Sequence, residues 1–218
     1  MRLINARPSP YGRKVAVALK ETKIPFDVEY DVPWAGTTRT PEFNPLEQLP
    51  ILILDTDEVV YDSTYILEWL ELRYPESPLL PVDVDAKLAA KLLQMLGERL
   101  MEFTATIVFE LQRAEPARAW MNRHESKLRR GLAELDRLLA RRRPGVSEPI
   151  TLGDIAVGTT LQSIHFMMAH GLMADLEVLK WEERHPNLVE FVNALEERPS
   201  FRETRPEMMD VDLQAVVA

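Results

Sequence analysis

Three short stretches hold the residues whose types could do chemistry: Ser9-Pro10-Tyr11-Gly12, Gln48-Leu49-Pro50 and Asp62-Ser63. Ser9 stands where a strand hands over to a helix, with Pro10 suited to the first helical position. Its oxygen can accept from the helix backbone as an N-cap. A hydroxyl also has a donor to spare, so the same side chain can donate to an anion such as a thiolate. A donor of that kind, at the positive end of a helix, favours ionised sulfur and lowers its pKa. The chain has no cysteine. Any sulfur must therefore arrive on a ligand, and disulfides, thiolate metal sites and a protein thiol nucleophile are excluded. The Tyr11 hydroxyl can donate in the same way and competes with Ser9 for the role. Asp62 and Ser63 would bring a carboxylate, a hydroxyl and helix N-terminal N–H groups together. Such a group reads the two charged ends of an amino acid, Asp62 taking the ammonium and Ser63 with the N–H donors taking the carboxylate. An ordinary capped helix explains the same pair in isolation.

Leu49-Pro50 precedes the apolar run 51–54, where a proline removes a ladder donor just as a buried strand begins. A cis Leu49–Pro50 bond supplies a special geometry for it. The N–H and C=O of Leu49 would then turn outward at the sheet edge, where an extended peptide can pair as an added strand.

The elements that must position these residues follow from periodicity. Leu3 and Ile4 suggest a short strand, residues 15–19 a helix ending near Lys23, and Phe26, Val28 and Tyr30 a half-buried strand. Residues 51–54 and 59–61 flank Asp55-Thr56-Asp57-Glu58 as a hairpin. A helix carrying Ile66, Leu67, Trp69 and Leu70 then starts at Asp62 or Ser63. The order is βαβ then ββα, a thioredoxin-like layout. Pro75, Pro78 and Pro81 break the chain, and no strand follows them. We therefore expect an α+β domain over 1–75, a linker over 76–85 and an all-helical domain over 86–218. In the latter, Leu88, Leu92, Leu93, Leu96, Leu100 and Phe103 define one long helix, and Leu128, Leu132, Leu135, Leu138 and Leu139 its partner. Ile150-Thr151 with Asp154-Ile155 satisfies a capping box and a hydrophobic staple, so a helix starts there. Leu188, Phe191, Val192 and Leu195 form a last amphipathic helix.

Composition narrows the function. With 218 residues, 46% hydrophobic and 28% charged, the chain can bury one or two cores. A formal charge of −9 argues against a nucleic-acid surface. The basic run Arg141-Arg142-Arg143 reads as a helix C-terminus that favours cations. The apolar runs are too short to cross a bilayer, and a cytoplasmic protein is expected. His165 and His170 are five apart with no third ligand at metal spacing, so no metal is expected.

Taken in order, Ser9-Pro10-Tyr11-Gly12-Arg13-Lys14-Val15, Leu49-Pro50, Asp62-Ser63, Thr151-Leu152-Gly153-Asp154, His185-Pro186-Asn187 and Arg198-Pro199-Ser200-Phe201 resemble the glutathione transferase family over nearly the whole chain, in its bacterial form with a serine-type active-site turn. The resemblance implies that glutathione is the co-substrate, held by Gln48, Leu49, Pro50, Asp62 and Ser63, with Ser9 activating its thiolate. It also implies an acceptor pocket for a small hydrophobic electrophile, built from Tyr11, Trp34 and one face of the first long helix, represented by Phe103, Ile107 and Phe109. A homodimer is implied as well. Ser9-Pro10-Tyr11-Gly12 stands where thioredoxin-like proteins carry Cys-x-x-Cys, so disulfide reduction is disfavoured. Glu47 departs from the glycine common in the family, and Gln48 supplies an amide rather than a basic side chain at the next position. Conjugation, halide displacement, aryl-ether cleavage and isomerisation all begin with the same thiolate. The alternative class is a noncatalytic transferase-like protein that binds a protein partner, favoured by Glu47.

Overall fold

The computed structural model describes residues 1–173, 176, 178 and 180–217. By internal packing the chain divides into two units, Met1–Lys87 with Pro199–Val211, and Leu88–Arg198 with Asp212–Ala218.

The first unit begins with β1 (Arg2–Asn5), α1 (Pro10–Glu21) and β2 (Asp27–Tyr30). It continues through α2 (Thr40–Phe43), β3 (Ile51–Ile53), β4 (Val59–Tyr61) and α3 (Ser63–Arg73). The strands form one sheet in the order β2-β1-β3-β4. β1 and β2 run parallel, as a helical crossover requires, while β1–β3 and β3–β4 are antiparallel. This is the α+β layout read from the sequence. Ile4, Ile51 and Ile53 share one face of the sheet, covered by Phe43, Leu49, Val59 and Tyr61. Side chains alternate along a strand, so Leu3 and Asn5 belong to the opposite face. Leu3, Val15, Leu19, Ile66, Leu67 and Leu70 are all buried, and α1 packs on α3. Each such side chain contributes about 1.5–3 kcal/mol on burial.

Two local expectations change. β2 is an edge strand, so Val28 and Tyr30 are 43% and 50% exposed rather than turned into a core. The Tyr30 ring is instead covered by the Arg7 guanidinium at 4.2 Å. Between β2 and β3, a stretch to which periodicity assigns no element, Thr40 and Pro41 open the four-residue helix α2.

The helical unit contains most of α4 (Val84–Leu111), α5 (Arg118–Leu138), α6 (Leu152–Ala169), a 3₁₀ turn at Trp181–Glu183, and α7 (Pro186–Glu196). α4 does meet α5: a side chain at Gly131 would strike Leu100, and the Phe103 and His124 rings meet edge to face at 5.5 Å. The inward face of α4 differs from the leucine stripe, however. Leu88 and Leu92 are exposed, whereas Ala90, Gln94 and Gly97 are buried. The reason is close approach. A Cβ on Gly97 would lie 2.9 Å from the α6 backbone at Ala156 and Val157, and one on Gly153 would lie 2.5 Å from Ala90 O. Only small residues fit that crossing, and Thr160 Oγ1 donates across it to Gly97 O.

The start of α6 is as expected. Thr151 Oγ1 accepts from Asp154 N–H, Asp154 Oδ2 accepts from Thr151 N–H, and Ile150 and Ile155 are buried as the staple. Arg142 closes this box with two bonds to Asp154, at 2.9 and 2.6 Å, and Arg143 pairs with Glu190. The arginine run therefore serves ion pairs as well as a helix end. Asp136 of α5 accepts from Asn187 and Leu188 N–H, capping α7 where His185 supplies no side-chain cap. Leu188, Phe191 and Leu195 are buried.

Past α7, the chain rejoins the first unit through α8 (Pro199–Arg202). Arg13 Nη2 donates to Phe201 O at 3.1 Å, Lys20 pairs with Glu203 at 2.8 Å, Ser200 bonds Glu21, and Arg7 bonds Glu207. A last turn, α9 (Leu213–Val217), ends the chain. Among the described residues no helix is long and apolar enough to cross a membrane.

Candidate functional site

Strand register decides which residues meet. Ile4 pairs with Ile51, and Ile51 pairs with Tyr61. The turn after β1, the residues before β3 and those after β4 therefore emerge at one end of three neighbouring strands. Two strand spacings cover about 10 Å, so the segments carrying Ser9, Leu49-Pro50 and Asp62-Ser63 leave three neighbouring strands at the same end of the sheet. Asn5 pairs with Tyr30, so the loop after β2, which carries Trp34, leaves from the same end.

Ser9 is the N-cap of α1, with Pro10 in the first turn. Its Oγ accepts from Gly12 N–H at 3.2 Å, and its own N–H donates to Ala6 O at 3.0 Å. That fixes one lone pair of a half-buried hydroxyl, while its O–H has no acceptor among the described residues. The side chain thus caps the helix and keeps a donor for something else.

The Leu49–Pro50 bond is cis. β3 lies inside the sheet, so Leu49 stands beyond the end of a central strand rather than along an edge strand. Among the described residues its N–H and C=O join no backbone hydrogen bond of the loop. The preceding loop is held by a residue that sequence reasoning left without a role. Asn44 is buried, its Nδ2 donates to Gln48 O at 2.7 Å, and its Oδ1 accepts from Leu46 N–H at 2.9 Å. The Asn-Pro pair that starts this loop was its available signal. Gln48 and Glu47 are exposed, and Glu47 has φ +54°.

Asp62 caps α3, its Oδ1 accepting from Thr64 N–H at 2.8 Å and Tyr65 N–H at 3.0 Å. Its backbone has φ +69° and ψ 125°, a region that a non-glycine residue occupies at a cost of about 1–3 kcal/mol. Ser63 is buried at the first position of the helix. Beneath them the buried Lys14 of α1 places its Nζ 3.4 Å from Thr64 Oγ1, so the helix bearing Ser9 and the helix bearing Asp62 are tied together near the site.

Of the residues expected to line an acceptor pocket, Tyr11 is half-buried in the first turn of α1 and Trp34 is 46% exposed. The Trp34 loop is fastened by Asp31, whose carboxylate accepts from Thr38 Oγ1 at 2.6 Å, Thr40 Oγ1 at 2.8 Å and Val32 N–H at 2.8 Å. Burial pushes the Asp31 carboxyl up, but these bonds together outweigh it and hold the group below its ordinary value. In the helical unit Ile107 is fully buried, while Phe103 and Phe109 are half-buried. Phe103 lies under Lys127 Nζ, 4.6 Å from its ring centre. His165 bonds Glu182 and His170 bonds Phe166 O. Among the described residues no three histidine or acidic side chains gather to hold a metal.

The sequence matches the glutathione S-transferase N-terminal domain over residues 8–73 and the glutathione S-transferase C-terminal domain over residues 118–194. The structure is similar to that of a glutathione S-transferase from Methylobacterium radiotolerans JCM 2831 in complex with glutathione sulfonate, with 41% identity, 96% of each chain covered and a TM-score of 0.85. A glutathione S-transferase from Methylobacillus flagellatus KT with glutathione bound is 33% identical, covers 94% of this chain and 99% of its own, and has a TM-score of 0.84. An uncharacterized GST-like protein of Escherichia coli K12, YibF, is 28% identical over 211 residues, or 94% of this chain and 98% of the other.

Proposed function

Because the chain belongs to the glutathione S-transferase family, we propose that it binds glutathione where the Ser9 turn, Leu49-Pro50 and Asp62-Ser63 converge, and uses it to attack a small hydrophobic electrophile. One observation carries this reading: the register Ile4–Ile51–Tyr61 brings all three segments to one sheet end, with a serine donor left over at the start of α1.

In this reading the cysteinyl backbone pairs with Leu49. Asp62 keeps one oxygen on the helix N–H groups and turns the other to the γ-glutamyl ammonium, and Ser63 with the α3 N-terminus takes the neighbouring carboxylate. Gln48 donates to the glycyl carboxylate. The thiol proton leaves to solvent, and Ser9 O–H donates to the resulting thiolate beside the positive end of α1. Lowering the thiol pKa by about two units from about 8.5 leaves most of it ionised at neutral pH. The thiolate then forms a carbon–sulfur bond, and the electron pair of the broken bond goes to the leaving group or is protonated after addition. Tyr11 and Trp34 are assigned to the acceptor on the side of the first unit. A homodimer belongs to the same proposal, supported by Leu88, Leu92 and Met95, which expose an apolar stripe along α4.

Calorimetric titration with glutathione near neutral pH, repeated in buffers of different ionisation enthalpy, tests the reading. Saturable binding with proton release supports it, and a panel of electrophile classes then identifies the subtype. No binding would favour the noncatalytic, partner-binding class instead.

A further inference from the structure

Asn5 is a polar residue on an otherwise apolar face of β1, two positions along from the buried Leu3. It is 7% exposed, and its Oδ1 is buried without a hydrogen-bond partner. Its carboxamide is therefore not held in place by a bond at that oxygen. It is held by shape: a Cβ built on Gly12 would lie 1.6 Å from Asn5 Oδ1 and 2.2 Å from its Cγ. The amide fills the space that any side chain at position 12 would take. Gly12 is also the residue whose N–H donates to Ser9 Oγ at 3.2 Å.

Resting on the glutathione reading above, we propose that Asn5 is a positioning residue for Ser9. Its carboxamide wedges against Gly12, fixes the first turn of α1, and keeps the Gly12 N–H on one lone pair of the Ser9 hydroxyl. The O–H of Ser9 is thereby aimed away from the helix and toward the thiolate. Without the wedge the turn relaxes into the vacated volume, the hydroxyl loses its fixed direction, and the bound thiol becomes harder to ionise.

Stability and function move separately at this position. Leucine shares the branching of asparagine and carries no orphan acceptor, so Asn5→Leu keeps the wedge and removes a buried unsatisfied oxygen. Asn5→Ala removes the wedge. The test is the pH titration of the thiolate absorbance of saturating glutathione on wild type and both variants, with thermal unfolding and steady-state kinetics alongside. Asn5→Ala is expected to raise the bound thiol pKa by about one unit, from near 6.5 to near 7.5, and lower turnover at neutral pH about threefold, with KM for glutathione within about twofold and the deficit closing at alkaline pH. Asn5→Leu is expected to titrate as wild type does and to unfold at or above the wild-type temperature. An Asn5→Ala protein with the wild-type thiol pKa overturns the proposal, whatever its stability; if that variant does not fold, Asn5→Ser is read in its place. Failure of wild type itself to bind glutathione would count against the reading beneath, not against the wedge.

Discussion

Replacing Ser9 separates its two roles. As an N-cap its Oγ holds the Gly12 N–H at 3.2 Å, and loss of such a cap to alanine costs about 1 kcal/mol, but to glycine only a few tenths. As a thiolate donor it makes a charge-assisted bond that neither alanine nor glycine can replace. If the bound thiol titrates near 6.5 in wild type and returns to about 8.5 without the donor, the ionised fraction at pH 7 falls about 25-fold. Ser9→Ala and Ser9→Gly should then lose the same 25-fold in turnover, with little change in glutathione affinity, because the bond strengthens only as sulfur becomes anionic. Their stabilities should differ, with Ser9→Gly unfolding close to wild type. The assay is steady-state conjugation from pH 6 to 10 together with thermal denaturation. Both deficits should shrink toward alkaline pH, where the thiol ionises unaided. A Ser9→Gly enzyme with wild-type turnover would refute the reasoning and leave Ser9 as a cap only; the same 25-fold loss in Tyr11→Phe alone would move the donor role to Tyr11.

Asp62→Gly should be close to neutral in stability, since glycine relieves the positive φ while the cap is lost, yet should weaken glutathione binding without shifting the thiol pKa; calorimetry and thiolate absorbance check the two halves. Asp154→Ala should destabilise the helical unit by about 3–5 kcal/mol, because Arg142 and the Thr151 N–H lose a fully buried partner; a thermal transition within about a degree of wild type would contradict the lock. For Asp31 the folded pKa lies below the ordinary value of 3.8, so its bonds stabilise the loop fully above that value and are lost as pH falls through the lowered one. Acrylamide quenching of Trp34, isolated by replacing the other tryptophans with phenylalanine, should be independent of pH near neutrality, increase in acid, and already be high at neutral pH in Asp31→Asn.

What the sequence made legible was local chemistry. The β1–β2 and β3–β4 pairings follow from the βαβ and hairpin spacings, and Thr151-Leu152-Gly153-Asp154 announces its helix because both halves of the capping box are written three residues apart. The site segments were recognisable because a proline before a buried strand and a serine-proline at a helix start each solve a specific backbone problem. What stayed hidden depends on three-dimensional approach. Nothing in the leucine spacing of α4 says that Gly97 rather than Leu92 faces its neighbour; that is set by how closely the α6 backbone comes. The edge position of β2 exposes Val28 and Tyr30 despite their alternation. The return of Pro199–Val211 to the first unit rests on single contacts from Arg13, Lys20, Glu21 and Arg7 that have no sequence period. Asn5 and Gly12 are seven residues apart, and their fit appears only when strand and helix are packed.

The most direct test of the central claim is the ultraviolet titration of glutathione bound to the wild-type protein, reading thiolate absorbance against pH. Saturable binding is expected, with a midpoint at least about one unit below the free thiol value of about 8.5. A midpoint at the free value, or no saturable binding, would contradict it.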